Sequence, residues 1–215
     1  MPHPRHRWAI AKFLHEDQEF LWPGVERRSA DTTGSTAEIV SAYPYRSKLP
    51  TSTWWDLISR SERHIDLLGY TLYFLPLEHP HLIDTLRAKC EQGCVVRAAM
   101  ADPNSSHVRD RQKEENLALT LNGRIRTTLK YLRPLLGCQN FDLRYQDVPL
   151  YNSVFRFDDE MLVTPHLYAT PGASAPLLHL RRLGPNGLFS RFAAHFESIW
   201  ESTTMVEDQH VTSGS

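Results

Sequence analysis

From Trp54 onward the chain alternates between short apolar runs and longer segments with an apolar stripe, and this alternation constrains the fold most strongly. Residues 64–71 and 94–100 are short and largely apolar, which is typical of buried strands. Residues 80–92 and 112–132 repeat apolar side chains at helical spacing, which predicts helices. Strands that alternate with helices indicate an α/β domain.

The second half of the chain is richer in predicted strands. Residues 141–145, 153–157 and 161–164 have the pattern of strands, and the acidic segment between the last two is typical of a hairpin turn. Residues 177–183 predict a further strand, and residues 188–201 predict a closing helix with an aromatic face. The sequence therefore predicts one α/β domain, with a mixed sheet flanked by helices.

Composition divides the chain into four segments. Residues 1–23 contain one short helix that a Trp-Pro pair ends, and residues 24–36 are rich in Gly, Ser and Thr, which is typical of a linker. Residues 37–202 hold the α/β domain. Residues 203–215 are polar, which predicts a flexible tail.

Charge and composition exclude several classes of protein. The net charge is -1, so no overall charge favours nucleic acid or a membrane surface. No apolar run approaches the ~18 residues of a membrane span, and no signal-peptide core follows the N-terminus, so we expect a cytoplasmic protein without a membrane partner. Cys90 and Cys94 lack a second Cys/His pair at zinc spacing, so we expect no metal site, and no cofactor motif is present.

Three strings resemble one half of a phospholipase-D-like domain. WWDLISRSERHIDLLGYTLYF and LIDTLRAKCEQGCVVRAAMADP resemble that family's opening helix, strand, Gly-ended helix and second strand. LYNSVFRFDDEMLVTPHLY resembles the strand pair that bears the family's H-x-K-x-x-x-x-D motif. The resemblance implies a single phospholipase-D-like half-domain.

Residues 37–202 also resemble a domain of unknown function that follows XRE-type helix-turn-helix regions in actinobacterial transcriptional regulators. The matching strings are YPYRS, WWDLI, YNSVFRFDDEMLV, PLLHLRRL and FESIW. The start, PRHRWAIAKFLHEDQEFLWP, resembles the last helix of such a region and lacks the recognition helix. We therefore expect DNA binding only if a complete helix-turn-helix is supplied. Arg5, Arg7, Arg126 and Lys130 are weak candidates for DNA contacts.

The catalytic motif of the resembled family is incomplete in this chain. Asn152 stands at the histidine position, Val154 at the lysine position and Asp159 at the aspartate position. Phospholipase-D chemistry uses the histidine as nucleophile and the lysine to neutralise phosphoryl charge. The resemblance therefore argues against a standard phosphodiesterase, and we expect no catalytic residues. Single halves of this family pair across their sites, so we also expect a homodimer.

The site can keep its shape without the nucleophile and bind an unidentified small polar or anionic ligand. Asn152 offers donors and an acceptor, and Arg156 suits a phosphate or carboxylate. His166 lies near the family's phosphate contact, while Tyr70 and Asp102 end strands, where open α/β sheets place ligands. The full set of candidate ligand contacts is Asn152, Arg156, Asp159, His166, Tyr70 and Asp102.

Several of these candidates have an equally simple structural interpretation. Asp158 and Asp159 are typical turn formers, and Arg156 can pair with Asp158. His166 can be a hydrogen-bonded loop residue, and Tyr70 an aromatic residue at the edge of the core.

The sequence leaves three hypotheses for function. The first is a regulatory, ligand-sensing or dimerisation domain that acts in transcription on a catalytically degenerate fold. The second is a dimeric phosphodiesterase or nuclease that uses unorthodox residues such as His166. The third is a protein-interaction scaffold.

Overall fold

The computed structural model describes residues 4–14, 16, 21 and 37–206. The chain divides into two units, Met1–Ala37 and Glu38–Ser215, and each is described by itself. In the first unit, helix α1 spans Pro4–Leu14. The predicted linker at 24–36 lies outside the described residues.

The second unit alternates strands and helices. The strands are β1 (Ile39–Tyr43), β2 (His64–Gly69), β3 (Val95–Ala101), β4 (Phe141–Gln146), β5 (Asn152–Phe157), β6 (Glu160–Pro165), β7 (Leu177–Arg181) and β8 (Thr204–Met205). The helices are α2 (Thr51–Arg60), α3 (Phe74–Glu78), α4 (Leu82–Glu91), α5 (Ser106–Glu115), α6 (Leu121–Leu132) and α7 (Leu188–Trp200). The predicted α/β fold class is confirmed.

In the described part of the chain, eight strands form one sheet in the order β1-β7-β6-β5-β2-β3-β4-β8. Strands β2, β3 and β4 are parallel, because helices α4, α5 and α6 provide the crossovers between them. The other neighbouring pairs are antiparallel. Strand β5 therefore joins the parallel and antiparallel parts of a mixed sheet, as the sequence predicts.

One face of the sheet packs against helices α2 to α6. Trp54 of α2 is buried, and its ring meets Phe74 and Phe155 edge-on, with centroids 4.9 Å and 5.0 Å away. Edge-to-face aromatic pairs add to the free energy gained from burial alone. This larger core fixes the helices that surround the carboxyl end of β2.

The opposite face of the sheet packs against α7. Phe189 and Phe196 of this helix form a second core with Val154 of β5, and all three are buried. Side chains alternate across a strand, so Val154 faces α7 while Phe155 faces the larger core. The apolar side of α7 therefore covers the face of the sheet on which residues 152, 154 and 156 of β5 lie.

The prediction of one helix over residues 112–132 is wrong, because two helices share that stretch. Asn116 has a φ of 45° and ends α5 in the left-handed conformation that asparagine tolerates. Thr120 then caps α6, since its side-chain oxygen accepts the N–H of Gly123 at 3.0 Å. The apolar periodicity of the sequence alone does not predict this break between the two helices.

Two further segments differ from the predictions. Pro76 and Pro80 predict a loop between β2 and α4, but this stretch contains the short helix α3. The tail predicted from residue 203 begins instead with β8, which pairs with Arg144 and Tyr145, and Val206 beside it is buried. Among the helices that the structure describes, none is long and apolar enough to cross a bilayer.

Candidate ligand-binding site

A cavity of about 250 Å³ opens at the carboxyl end of β2. Its walls come from the start of β5, the end of β6, helices α3 and α6, and the 3-10 turn at Gly172–Ser174. Open α/β sheets place their ligands at this end of parallel strands. The polar side chains that line it include Arg46, Tyr70, Arg124, Ser153 and His166.

Ser153 and His166 form a hydrogen-bonded pair in this cavity. The Ser153 Oγ lies 2.9 Å from His166 Nε2, and His166 Nδ1 lies 2.9 Å from the carbonyl oxygen of Leu150. A carbonyl only accepts hydrogen bonds, so Nδ1 carries the imidazole proton. Nε2 of the neutral ring is then an acceptor, and the Ser153 hydroxyl donates to it.

Tyr70 holds the imidazole from a second direction. Its ring stacks on His166, with centroids 5.3 Å apart, and its hydroxyl accepts the N–H of Leu150 at 3.2 Å. The peptide groups of Leu150 therefore receive one bond from His166 and donate another to Tyr70. This clamp fixes both the position of the ring and its tautomer.

His166 stays neutral across the physiological range. Burial lowers the pKa of His166 to about 4, the hydrogen bond to Leu150 opposes this shift, and the charges of Arg111 and Arg46 add to it. An imidazole in this environment is a hydrogen-bonding group rather than a cation at neutral pH.

Arg46 brings a half-buried positive charge to the cavity. Its Nε donates to the carbonyl of Gly172 at 3.1 Å, and its guanidinium lies 3.7 Å from the centroid of the Phe74 ring. Burial lowers the pKa of Arg46 to about 10, and Glu78 opposes the shift. Arg46 thus remains charged at neutral pH.

Arg124 of α6 supplies a second guanidinium. Its Nε is buried and has no hydrogen-bond partner within the described part of the chain. Neither Arg46 nor Arg124 has a carboxylate within ion-pairing distance among the described residues; Glu115, which also lines the cavity, pairs with Arg111 at 2.8 Å. A partly buried guanidinium without a carboxylate partner can pair with an anionic group.

The structure brings together two of the six predicted ligand contacts. Tyr70 and His166 stack inside the cavity. Asn152 lies at the same strand end and pairs with Pro165, but it is not part of the cavity lining. Alternation along β5 turns Asn152 away from Ser153, which is the residue that lines the cavity.

Arg156 lies outside the cavity, in an ion-pair network under α7. Its Nη1 is 3.3 Å from the carboxylate of Asp66, and its Nε donates to the carbonyl of Asp158 at 3.0 Å. Asp66, which is 1% exposed, also accepts from Arg97 at 2.7 Å, and Arg97 forms a bidentate pair with Glu197. These contacts give Arg156 a structural role.

Asp159 occupies the hairpin turn at the far end of β5. Its carboxylate pairs with Arg63 and with Arg182, and it is half-exposed. Its neighbour Asp158 has a φ of 53° and accepts backbone N–H groups at 2.8–2.9 Å from residues 62, 63 and 64. The turn thus uses both aspartates to join β5 and β6 to the start of β2.

Asp102 lies in a separate cavity of about 370 Å³ between β3, β4 and α6. Its carboxylate accepts the N–H of Asn104 at 2.7 Å, which is a turn-forming contact. Arg126 lines the same cavity and donates to Asn122, while Lys130 is exposed on α6. The side chains of Arg5 and Arg7 lie outside the described residues, so their predicted DNA contacts stay predictions.

Sequence reasoning missed Ser153, Arg46 and Arg124. Ser153 is hidden beside Asn152, and only strand alternation separates the faces of these two residues. Arg46 lies within the string YPYRS, whose pattern marks a turn but not a charge that enters a cavity. Arg124 precedes Ile125 on α6, where an arginine is usually solvated.

Residues 35–207 match the sequence model of a family described as Domain of unknown function (DUF5919). No curated protein matches the chain.

Among the solved structures that resemble the chain are the following three. TrmBL2, described as an archaeal chromatin protein with a novel mode of DNA binding, is 12% identical with a TM-score of 0.46, and the match covers 94% of this chain and 65% of that one. Nuc, a phospholipase D family member from Salmonella typhimurium, is 12% identical with a TM-score of 0.48, covering 73% and 90%. Phosphatidylserine synthase from Haemophilus influenzae Rd KW20 is 15% identical with a TM-score of 0.46, covering 70% and 35%.

Proposed function

The chain belongs to the DUF5919 family, and we propose that this member is a cytoplasmic regulatory domain that senses a small anionic ligand. The observation that carries the proposal is the pair of guanidinium groups, Arg46 and Arg124, in one strand-end cavity without a carboxylate partner among the described residues. The cavity is smaller than the ~300 Å³ typical of drug-sized ligands, which favours a small metabolite.

The regulatory role rests on how such a site can act. A ligand that bridges Arg46 on one side and Arg124 of α6 on the other links separate elements, and its binding favours the conformation in which they are close. We propose that this shift biases a homodimer or a tethered helix-turn-helix reader of the XRE type. The matching strings and the helix-like start of the chain support this transcriptional setting.

A thermal-shift screen tests the proposal directly. The probes are inorganic phosphate, sulfate, sugar phosphates and small dicarboxylates, applied to the wild type, Arg124→Gln and Arg156→Gln. A ligand at a hundred times its dissociation constant stabilises by about 2.7 kcal/mol, which raises Tm by about 5 °C or more at this chain length. We expect the shift to vanish in Arg124→Gln and to persist in Arg156→Gln. If no probe at millimolar concentration shifts the wild type, the sensor proposal fails and an interaction scaffold replaces it.

The Ser153–His166 contact favours a second candidate, a hydrolase. In that reaction the Ser153 oxygen attacks an ester carbonyl, His166 Nε2 takes the hydroxyl proton and passes it to the leaving alcohol, and water then releases the acyl group. The candidate ranks second, because burial and nearby arginines oppose the imidazolium that this step requires. Labelling of Ser153 by a fluorophosphonate probe, absent in Ser153→Ala, would favour the hydrolase.

A further inference from the structure

We propose that the cavity selects small anions that also carry a hydroxyl group. Ser153 acts as the hydrogen-bond acceptor for that hydroxyl. The inference rests on the proposed function, because Arg46 and Arg124 must hold the anionic group. It adds the ligand class, namely a phosphorylated polyol or a hydroxy acid rather than a simple anion.

The first step is the direction of the hydrogen-bond relay. His166 Nδ1 must donate to the Leu150 carbonyl, so Nε2 has a free lone pair directed at Ser153 Oγ, 2.9 Å away. A hydroxyl has one proton, and this contact uses it. Ser153 therefore has lone pairs to offer a ligand but no proton.

The second step is that the two hydrogen bonds, from Ser153 to His166 and from His166 to Leu150, cannot easily reverse their direction. A ring flip would break the bond from Nδ1 to Leu150 and the stacking on Tyr70. Protonation of the imidazole would bring a third positive group to a cavity that already holds Arg46 and Arg124. The acceptor character of Ser153 is thus fixed by its surroundings.

The third step is access to Ser153. Gly69 lies beside its hydroxyl, and a Cβ placed on Gly69 would be 3.3 Å from Ser153 Oγ and 3.1 Å from the Leu72 side chain. The glycine adds no side chain to the one that Leu72 already places beside the Ser153 hydroxyl. Ser153 is half-buried and lines the cavity, so a ligand group in the cavity can reach its hydroxyl.

The charge of the cavity decides which donor fits. An ammonium group would be repelled by the guanidinium groups, whereas a neutral hydroxyl donates to Ser153 without that cost. A bound anion without a donor would shield the Ser153 lone pairs from water and leave them unpaired, which lowers affinity. The two requirements together describe a small compound with an anionic group at one end and a hydroxyl at the other.

Isothermal titration with matched ligand pairs tests the inference. The pairs are glycerol 3-phosphate against propyl phosphate and lactate against propionate, titrated into the wild type, Ser153→Ala and Ser190→Ala. We expect the hydroxylated member of the pair that binds to be favoured by about tenfold in the wild type, the size of one net hydrogen bond plus its unpaired penalty. The preference should fall below about twofold in Ser153→Ala and stay unchanged in Ser190→Ala, whose hydroxyl bonds Gly184.

The outcomes separate the two proposals. If both members of a pair bind the wild type equally, the selection by Ser153 is overturned and the anion site stands. A preference that survives in Ser153→Ala also overturns it, because the hydroxyl is then recognised elsewhere. If no member of either pair binds while the screen of simple anions also fails, the anion site itself is overturned.

Discussion

The hydroxyl of Ser153 and the imidazole of His166 meet at 2.9 Å, and the opposite edge of that imidazole is tied to the Leu150 carbonyl at the same distance. The two contacts together set the tautomer of the ring and the direction of the serine proton. A site that looks like a nucleophile and its base is therefore also a fixed pattern of donors and acceptors.

Acid should destabilise the protein through His166. The unfolded imidazole binds a proton near pH 6.5 and the folded one near pH 4, so the unfolded state gains protons first as pH falls. The contribution of the neutral ring is complete above pH 6.5 and is lost between pH 6.5 and 4. We expect the stability gap between the wild type and His166→Gln to narrow by about 3 kcal/mol across this window, measured by urea unfolding. A constant gap would contradict the buried, neutral ring.

Arg97 and Arg156 share Asp66 but should differ in their effect on stability. Arg97→Ala leaves the buried Asp66 with a single, longer contact and removes the bidentate partner of Glu197, so we expect a loss of about 3–5 kcal/mol. Arg156→Ala retains the 2.7 Å pair, and we expect a loss of about 1–2 kcal/mol. Urea denaturation of both variants measures which substitution lowers the free energy of unfolding more. Equal losses would show that Asp66 depends on both arginines alike.

The hairpin turn should depend on Asp158 rather than on Asp159. Asp158→Ala removes the acceptor of the backbone N–H groups of residues 62–64 and places alanine at a φ of 53°, so we expect a loss of about 2–3 kcal/mol. Asp159→Ala breaks only exposed ion pairs and should cost less than about 1 kcal/mol. Asparagine tolerates the same φ and keeps one acceptor oxygen. The stability of Asp158→Asn, measured by thermal unfolding, should therefore lie between the stabilities of the two alanine variants.

Gly69→Ala should weaken ligand binding more than it weakens the fold. The added Cβ would lie within 3.3 Å of Ser153 Oγ and narrows the corner of the cavity that holds this hydroxyl. We expect a stability change of about 1 kcal/mol, together with a loss of affinity for hydroxylated anions of about tenfold. Unfolding curves and titration on the same preparation separate the two effects. An unchanged affinity would place the ligand away from Ser153.

The fold could be predicted because its signals are local and repeated. The apolar stripe of α7 and the apolar run of β3 identify their elements, and most of their side chains are buried as the patterns predict. The break between α5 and α6 was missed because it depends on the backbone angle of Asn116, which periodicity does not encode.

The candidate site was harder to predict, because its residues are far apart in the sequence. Tyr70 was predicted from its place at a strand end and His166 from the resemblance, and the structure stacks the two rings. Arg46, Arg124 and Ser153 belong to three elements that only the tertiary fold brings together. Arg156 was misplaced because a strand pattern shows which face a residue occupies but not that α7 covers that face.

The burial of Val154 has a consequence for redesign of this chain. This position, where the resembled family carries its lysine, is fully enclosed by α7 and the second core. A lysine there would place an ammonium group among Phe189, Phe196 and Met161, at a cost that a small domain cannot absorb. Asn152→His and Val154→Lys together would therefore not install the motif of the resembled family, because the packing of α7 against β5 leaves no room for a charged side chain at position 154.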